Sequence, residues 1–432
     1  MSTPPASPVP SASPFFALTG DQYAAACIAA GTSGADVLAM KRYAKLHRTG
    51  VTEQPHLSVT LPEIVRTQLS ESPEGTVLKF TQRVPVDAAH RPTTLASSAG
   101  EIGSGIGLPV LHTSITSLEV ESVLIPMIGR KRIRSYTLCV SSQVGCAMGC
   151  GFCQTAQMGL IRSLKAEEIV GQYFAARHQI TRPDPTAEIA NIVFMGMGEP
   201  LDNLPEVLKA IAVLTDRRGP GLSMSKITVS TVGRIDGLLK LAEQVNQTGW
   251  HRLGLAVSLN APNEEVRSRI MPINRAMPMA KLREALENWP FYSGVHLCLE
   301  YVLIPGVNDA PAHAEQLAAF VRGNLFEGPR SMDGEEIKRF PGAPLRGLIN
   351  IIPYNPRHNS PWPAPTEEAA EEFMQRVKDR GVYCKRRRTK GRDTMAACGQ
   401  LGNPEVTRKA IAAGRVSTSL ATSLVTSLAT GA

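Results

Sequence analysis

The stretch "TLCVSSQVGCAMGCGFC", Thr137 to Cys153, joins a short apolar run to a loop carrying three cysteines and three glycines, and it holds four of the chain's eight cysteines. The apolar run reads as a strand that stops at Ser141 and Ser142. After it, Cys146, Cys150 and Cys153 form C-x3-C-x2-C, and Gly145, Gly149 and Gly151 let the backbone wrap closely around a bound group. Closed structural zinc sites take four Cys or His ligands as paired knuckles, and no second C-x-x-C or H-x3-5-H follows. Three thiolates suit an iron–sulfur cluster with one iron left open.

The strand-then-loop arrangement recurs. The runs are "YTLCVSS", "IANIVFMGMGE", "SKITVSTVG", "LGLAVSLNA", "CLEYVLIPG" and "GLINIIPYN", with helix-like segments such as "AEEIVGQYFAARHQI" and "PEVLKAIAVL" between them. Continuous apolar runs alternating with helices predict parallel strands joined by crossover helices. Six units predict an α/β fold, a partial (βα)6 barrel, whose chemistry sits at the C-terminal strand ends. The polar residues closing the runs are Glu199, Ser230, Ser258 with Asn260, and Asn355. As a row they suit a small ligand with several polar handles, although any one alone would merely mark where a strand stops.

Composition divides the rest. Residues 1–14 read as a disordered tail, 15–86 as a small N-terminal helical domain, 87–116 as an inserted Gly/Ser/Thr-rich linker, 117–401 as the core and 402–432 as a low-complexity tail. Within the core the barrel spans about residues 132–388 and is followed by the segment carrying Cys398. In the N-terminal unit "LPEIVRTQL" places Leu61, Ile64, Val65 and Leu69 at helical spacing after Thr60 as a cap. With 432 residues, 43% of them hydrophobic, the chain can bury a sizeable core. No apolar run approaches the roughly 20 residues of a bilayer span, and no signal peptide opens the sequence, so a cytoplasmic protein off the membrane is expected. Few, clustered cysteines argue against a secreted disulfide framework. The net charge of +8 fits a polyanionic partner. Charge concentrates in "KRRRTKGR", Lys385–Arg392, with "RKRIR", Arg130–Arg134, as a second cluster; by itself such a run is as often a solvated face.

With these motifs assembled, the sequence resembles the radical S-adenosylmethionine (SAM) superfamily, whose three-cysteine motif binds a [4Fe-4S] cluster with SAM on its exchangeable iron. More narrowly, "LCVSSQVGCAMGCGFCQTAQMG", "GMGEPLDN", "AVSLNAPNEEVRSRIMPIN", "EYVLIPGVND", "INIIPYNP" and "AACGQL" are similar to successive motifs of the RlmN/Cfr family of RNA methyltransferases, over about Glu121 to Leu401. The resemblance implies Cys146, Cys150 and Cys153 as cluster ligands. It implies Gly198 and Glu199 as the element holding the SAM amino group, with Ser230, Ser258, Leu259, Asn260 and Asn355 as further SAM contacts. Read from composition, Cys139 and Cys398 are buried hydrophobes and Glu121 a strand-edge carboxylate. The resemblance instead implies Cys398 as the methylated thiolate, Cys139 as its resolving partner in a transient disulfide, and Glu121 as proton acceptor. Cys27, Cys298 and Cys384 match no motif and read as structural.

The implied activity is methylation of adenosine in RNA through an S-methylcysteine intermediate, with two SAM per turnover. Carbons 2 and 8 of adenine are electron-poor, so a radical route is required. Carbon 2 of an adenosine in 23S ribosomal RNA is expected, with transfer RNA as a second substrate; carbon 8 is the alternative. The basic run then reads as a phosphate clamp, residues 15–86 as an RNA-binding accessory domain, and the target base as unpaired or flipped. An electron donor such as a flavodoxin and its reductase is implied, and a monomer is expected. The N-terminal motifs are faint, the 88–116 insertion is atypical, and "KGRDTMAACGQL" lacks the family's acidic pair and Ile, which leaves the RNA target open. Two rival readings stay open: a radical SAM enzyme acting on a substrate other than RNA, and a non-catalytic RNA-binding protein with a zinc or degenerate cluster site.

Overall fold

The N-terminal unit begins with helices because its sequence caps and packs them. A 3-10 turn, Phe15–Ala17, leads into α1 (Gly20–Ala29) and α2 (Ala35–Thr49). Thr19 and Gln22 close a capping box on α1, each backbone N–H donating to the other's side chain. Phe15, Phe16, Tyr23, Tyr43 and His47 form an aromatic cluster. This is a computed structural model that describes residues 15–31, 35–51, 59–85, 117–129, 132–292, 297–323, 344–408 and 410. The 1–14 tail, the 87–116 insertion, Arg130 and Lys131 of the second basic cluster and residues 411–432 lie outside the described residues.

The segment from Leu61 to Leu69 is not the expected helix. It forms β1 (Glu63–Ser70), an edge strand paired antiparallel with β2 (Val77–Pro85). Its four apolar residues sit at helical spacing, but Ile64, Val65 and Thr67 are β-branched and seven registered pairs with β2 decide the conformation. Strand β2 pairs with β3 (Ser117–Ile128), which pairs with β4 (Arg134–Cys139), all antiparallel. Residues 63–85, placed in the N-terminal unit by composition, thus extend the main sheet.

From β4 onward the sheet is parallel. After a small pair, β5 (Gln143–Val144) and β6 (Arg162–Ser163), the order continues through β7 (Glu188–Phe194), β8 (Ile227–Thr231), β9 (Gly254–Ser258), β10 (Leu297–Leu303), β11 (Gly347–Pro353) and β12 (Cys384–Arg386). The six expected runs are β4 and β7 to β11. The seventh parallel strand, β12, is short and charged, so no apolar run announces it. Crossovers use α4 (Ala166–Phe174, prolonged by a π turn to Gln179), α5 (Leu204–Thr215), α6 (Ile235–Val245), α8 (Met279–Glu287), α9 (Pro311–Arg322) and α10 (Glu367–Asp379), with α3 (Gln154–Met158) and α7 (Glu264–Ile270) as short helices at strand ends. The N-terminal helices dock on the outside, Phe16 lying 4.9 Å from Phe174 of α4 and His178 Nε2 2.9 Å from the His47 carbonyl. No helix among the described residues is long and apolar enough to cross a membrane.

Under the sheet, Arg162 forms a bidentate pair with Glu168 at 2.6 and 2.8 Å and also donates to the carbonyls of Ser163 and Pro85. Glu168 in turn accepts the Lys165 N–H at the start of α4. Both charges are buried, so removing one leaves the other without compensation. Arg162→Ala is expected to lower unfolding free energy by about 3–5 kcal/mol, whereas Arg162→Met with Glu168→Leu loses much less; urea unfolding checks the contrast.

Candidate active site

The polar strand ends converge. Gly198, Glu199, Ser230, Ser258, Asn260 and Asn355 line one cleft of about 130 Å³ together with Cys146, Cys150 and Cys153. Leu259 is fully buried and does not line it; its carbonyl accepts a hydrogen bond from Arg267 Nε. Local geometry fixes the row. Gly198 has φ +102°, and a side chain there would strike Gln143 at 2.5 Å. Asn260 takes a left-handed φ of +56°, which asparagine tolerates, and its Oδ1 accepts the Val302 N–H at 2.9 Å. Glu199 accepts the N–H groups of Leu201 and Val232 at 3.1 and 2.9 Å.

The cysteine loop is held by its own carbonyls. Gln157 Nε2 donates to those of Cys150 and Cys153, and Arg357 Nε to that of Gly151. At Gly145, φ +75°, a Cβ would fall 1.9 Å from the Gly159 carbonyl oxygen, so only glycine lets the loop close. Burial pushes the Cys146 and Cys150 thiols up, and neighbouring thiols add to it. Among the described residues no three His, Cys, Asp or Glu side chains converge on a single ion. The three thiols instead line a cleft that Met148, Phe152 and Ala156 also line, with Ile270 and Met271 buried in the apolar cluster behind it, which fits a thiolate-held multi-iron cluster better than one zinc ion.

A second cavity, about 550 Å³, lies deeper in the barrel. Alternate residues of each strand face it, including Thr137 and Cys139 of β4, Thr228 of β8, Ala256 of β9, Cys298 and Glu300 of β10, and Asn350 of β11. Residues 386–401 close its open side. Cys139 and Cys398, 259 positions apart, both line this cavity, and Cys398 lines the cluster cleft as well. Burial, then the nearby Cys398, pushes Cys139 up to about 12. Cys398 is also raised by burial, and Arg387 opposes the rise. All eight cysteines are free thiols, so no Cys139–Cys398 disulfide is present. Glu121 lines neither cavity; Lys79 Nζ lies 3.1 Å from its Oε1, and the Gly402 N–H donates to its Oε2 at 2.7 Å.

The basic run divides. Arg387 pairs with Glu300, Arg386 with Glu367, and Arg388 and Lys390 with Glu74, while Arg392 donates to Asn355. Lys385, Arg388 and Arg392 remain exposed. Glu300 and Arg267 were given no part by the sequence, and Arg387 only that of one cation in the basic run. Glu300 and Arg387 face the deeper cavity, and the buried Arg267 donates to the carbonyls of Val232, Ser258 and Leu259, fixing the loops that shape the cleft. A charge inside an apolar strand run, as in "CLEYVLIPG", was the available signal for Glu300.

Glu199 is held at about 7 by burial, against 4.5 for a free glutamate. The fold therefore favours its neutral form. That contribution is complete below about pH 4.5 and is lost as pH rises to about 7, amounting to about 3 kcal/mol. Urea unfolding of the protein and its Glu199→Gln variant should show their stability difference shifting by that order across this window and staying flat above it.

Residues 140–318 match the Radical SAM superfamily profile. The chain is 40% identical over 299 residues to the protein named "Probable dual-specificity RNA methyltransferase RlmN 1" of Protochlamydia amoebophila, covering 69% of this chain and 74% of that one. It is 40% identical over 301 residues to the dual-specificity RNA methyltransferase RlmN of Campylobacter jejuni, covering 67% and 76%. A radical SAM methyltransferase from Sphaerobacter thermophilus superposes with a TM-score of 0.69 at 29% identity, over 89% of this chain and 98% of that one. A family that implies a [4Fe-4S] cluster and SAM meets here a three-thiol cleft with a carboxylate at its rim, and the chain belongs to the RlmN family of radical SAM RNA methyltransferases.

Proposed function

We propose that the chain methylates carbon 2 of an adenosine, in 23S ribosomal RNA and in transfer RNA, with Cys398 as the methyl carrier. The observation that supports this most is that Cys139 and Cys398 line one cavity while Cys398 also borders the cluster cleft. Two RNA substrates agree with the dual specificity in the names of the relatives.

Cys146, Cys150 and Cys153 hold the cluster, and Gly198, Glu199, Ser230, Ser258, Asn260 and Asn355 hold SAM, Glu199 as carboxylate facing its amino group; Leu259 supports them through its backbone. When bound, the cluster and SAM supply first a methyl group and then the carbon radical that removes hydrogen from the S-methyl group. Cys398 attacks as thiolate, and Arg387 beside it favours that form. Its S-bound carbon, left as a radical, joins the adenine ring; Glu121 accepts the ring proton after giving up a present partner, Lys79 or the Gly402 N–H, and the adduct returns one electron to the electron-transfer centre. Cys139 as thiolate then attacks the Cys398 sulfur, forming the transient disulfide and breaking the sulfur–carbon bond, the released carbon takes a proton to become the methyl group, and an external donor of two electrons restores the thiols. The deeper cavity receives the flipped base, while exposed Lys385, Arg388 and Arg392 meet phosphates.

Mass spectrometry of ribosomal and transfer RNA from cells with and without the gene tests the reading. Loss of 2-methyladenosine is expected. Loss of 8-methyladenosine would move the reaction to carbon 8, and loss of neither would reject the proposal. In the purified protein Cys139→Ala should accumulate a covalent RNA adduct on Cys398, and Cys398→Ala none; equal behaviour of the two would refute the roles assigned to them.

A further inference from the structure

We propose that Glu300 and Arg387 read the edge of the target base, the Glu300 carboxylate accepting from the exocyclic N6 amino group of adenine and the Arg387 guanidinium donating to ring nitrogen N1. The inference rests on the function proposed above and gives a base-reading role to Glu300, which opens the run "EYVLIPGVND", and to Arg387 of the basic run.

Glu300 is 5% exposed and lines both cavities, at their junction. Its Oε2 accepts the Ser230 hydroxyl at 3.4 Å and the Asn350 side chain acts on the same carboxyl, while its Oε1 has no donor in hydrogen-bonding geometry. Arg387 Nη1 stands 3.6 Å from that oxygen, close enough for charge attraction and too far for a hydrogen bond. A buried carboxylate oxygen without a well-placed donor is unfavourable, and an incoming donor would relieve it. Arg387 is fixed from the opposite side, its backbone N–H donating to the Ile351 carbonyl at 2.8 Å and its Nη1 approaching Met195 Sδ at 3.7 Å. A guanidinium carries five N–H donors, so donors remain for a ligand.

The pair therefore presents an acceptor beside a donor inside a cavity that also contains Cys139 and Cys398. Adenine offers the complementary order, the N6 amino donor beside the N1 acceptor. Guanine and uracil offer the reverse, and would set a carbonyl oxygen against the carboxylate. Cytosine shares adenine's order, but its carbon 2 bears oxygen and no hydrogen to replace. Carbon 2 of adenine adjoins N1, so a base held by Arg387 brings that carbon toward Cys398, whose thiolate is the strongest influence on the guanidinium.

The test combines protein and base changes. RNA carrying purine riboside in place of the target adenosine lacks the amino group, and the unaltered protein should methylate it roughly tenfold to a hundredfold more slowly. Glu300→Ala should lose a similar factor on adenosine and nothing further on purine riboside, while Glu300→Gln, which keeps an acceptor oxygen, retains most activity. Arg387→Met, compared in single turnovers from protein already methylated on Cys398, should behave likewise toward 1-deazaadenosine. Losses that multiply instead of coinciding, or equal rates on adenosine and purine riboside, would overturn the inference. So would failure of Glu300→Ala to acquire the methyl group on Cys398 from SAM, since that would make Glu300 a support of the fold or of the SAM cleft. If the unaltered protein methylates no adenosine in any RNA, the function itself fails, and the inference falls with it.

Discussion

The site depends on one seam, the docking of the C-terminal segment across the cysteine loop. The Gln154 N–H donates to the Gly399 carbonyl at 2.7 Å and Thr155 Oγ1 to the Leu401 carbonyl at 2.6 Å, next to Cys153 on one side and Cys398 on the other. Asn355 Nδ2 reaches the Cys398 carbonyl at 3.4 Å, and Gln400 Nε2 donates to Pro356 at 2.8 Å. Lys390 and Gly402 tie the two ends of the segment to Pro126 and Glu121 of β3. Without this seam the barrel would be open along one side, and Cys139 would face solvent instead of a partner. Loop-closure entropy grows only slowly with length, so contacts at a few points can hold a residue 259 positions away.

Closure sets the electrostatics. Burial raises the Cys139, Cys298 and Cys398 thiols and the Glu300 carboxyl, because each charged form loses its water. Arg387 sits among all four, the one guanidinium among the described residues that acts on each of them, and it is raised in return, chiefly by Cys398. A strongly basic run thus turns Arg387 toward the cavity that holds Cys139 and Cys398 and leaves Lys385, Arg388 and Arg392 exposed.

Much of this was legible in the sequence, for physical reasons. Buried parallel strands need apolar residues on both faces, so β4 and β7 to β11 stand out as runs, and the polar residues that end them fall together because parallel strands place their C-terminal ends on one side. The cleft was legible for the same reason. Less visible were features set by pairing instead of periodicity. Strand β1 carries a helical spacing that β2 overrides, and β12 is a three-residue strand made by its neighbour. Glu300 and Arg387 form a pair 87 positions apart, and no local pattern reports a meeting of that kind. Composition also gave no sign that β1 and β2 would join the main sheet.

The central claim is that the fold delivers Cys398 to the SAM cleft as the methyl acceptor. The most direct measurement is peptide mass spectrometry of the cluster-loaded protein after anaerobic incubation with SAM bearing a deuterated methyl group, without RNA. The account predicts a deuterated methyl on Cys398 and on none of the other seven cysteines. An unlabelled Cys398, or label spread over Cys139 and Cys298 as readily, would contradict it.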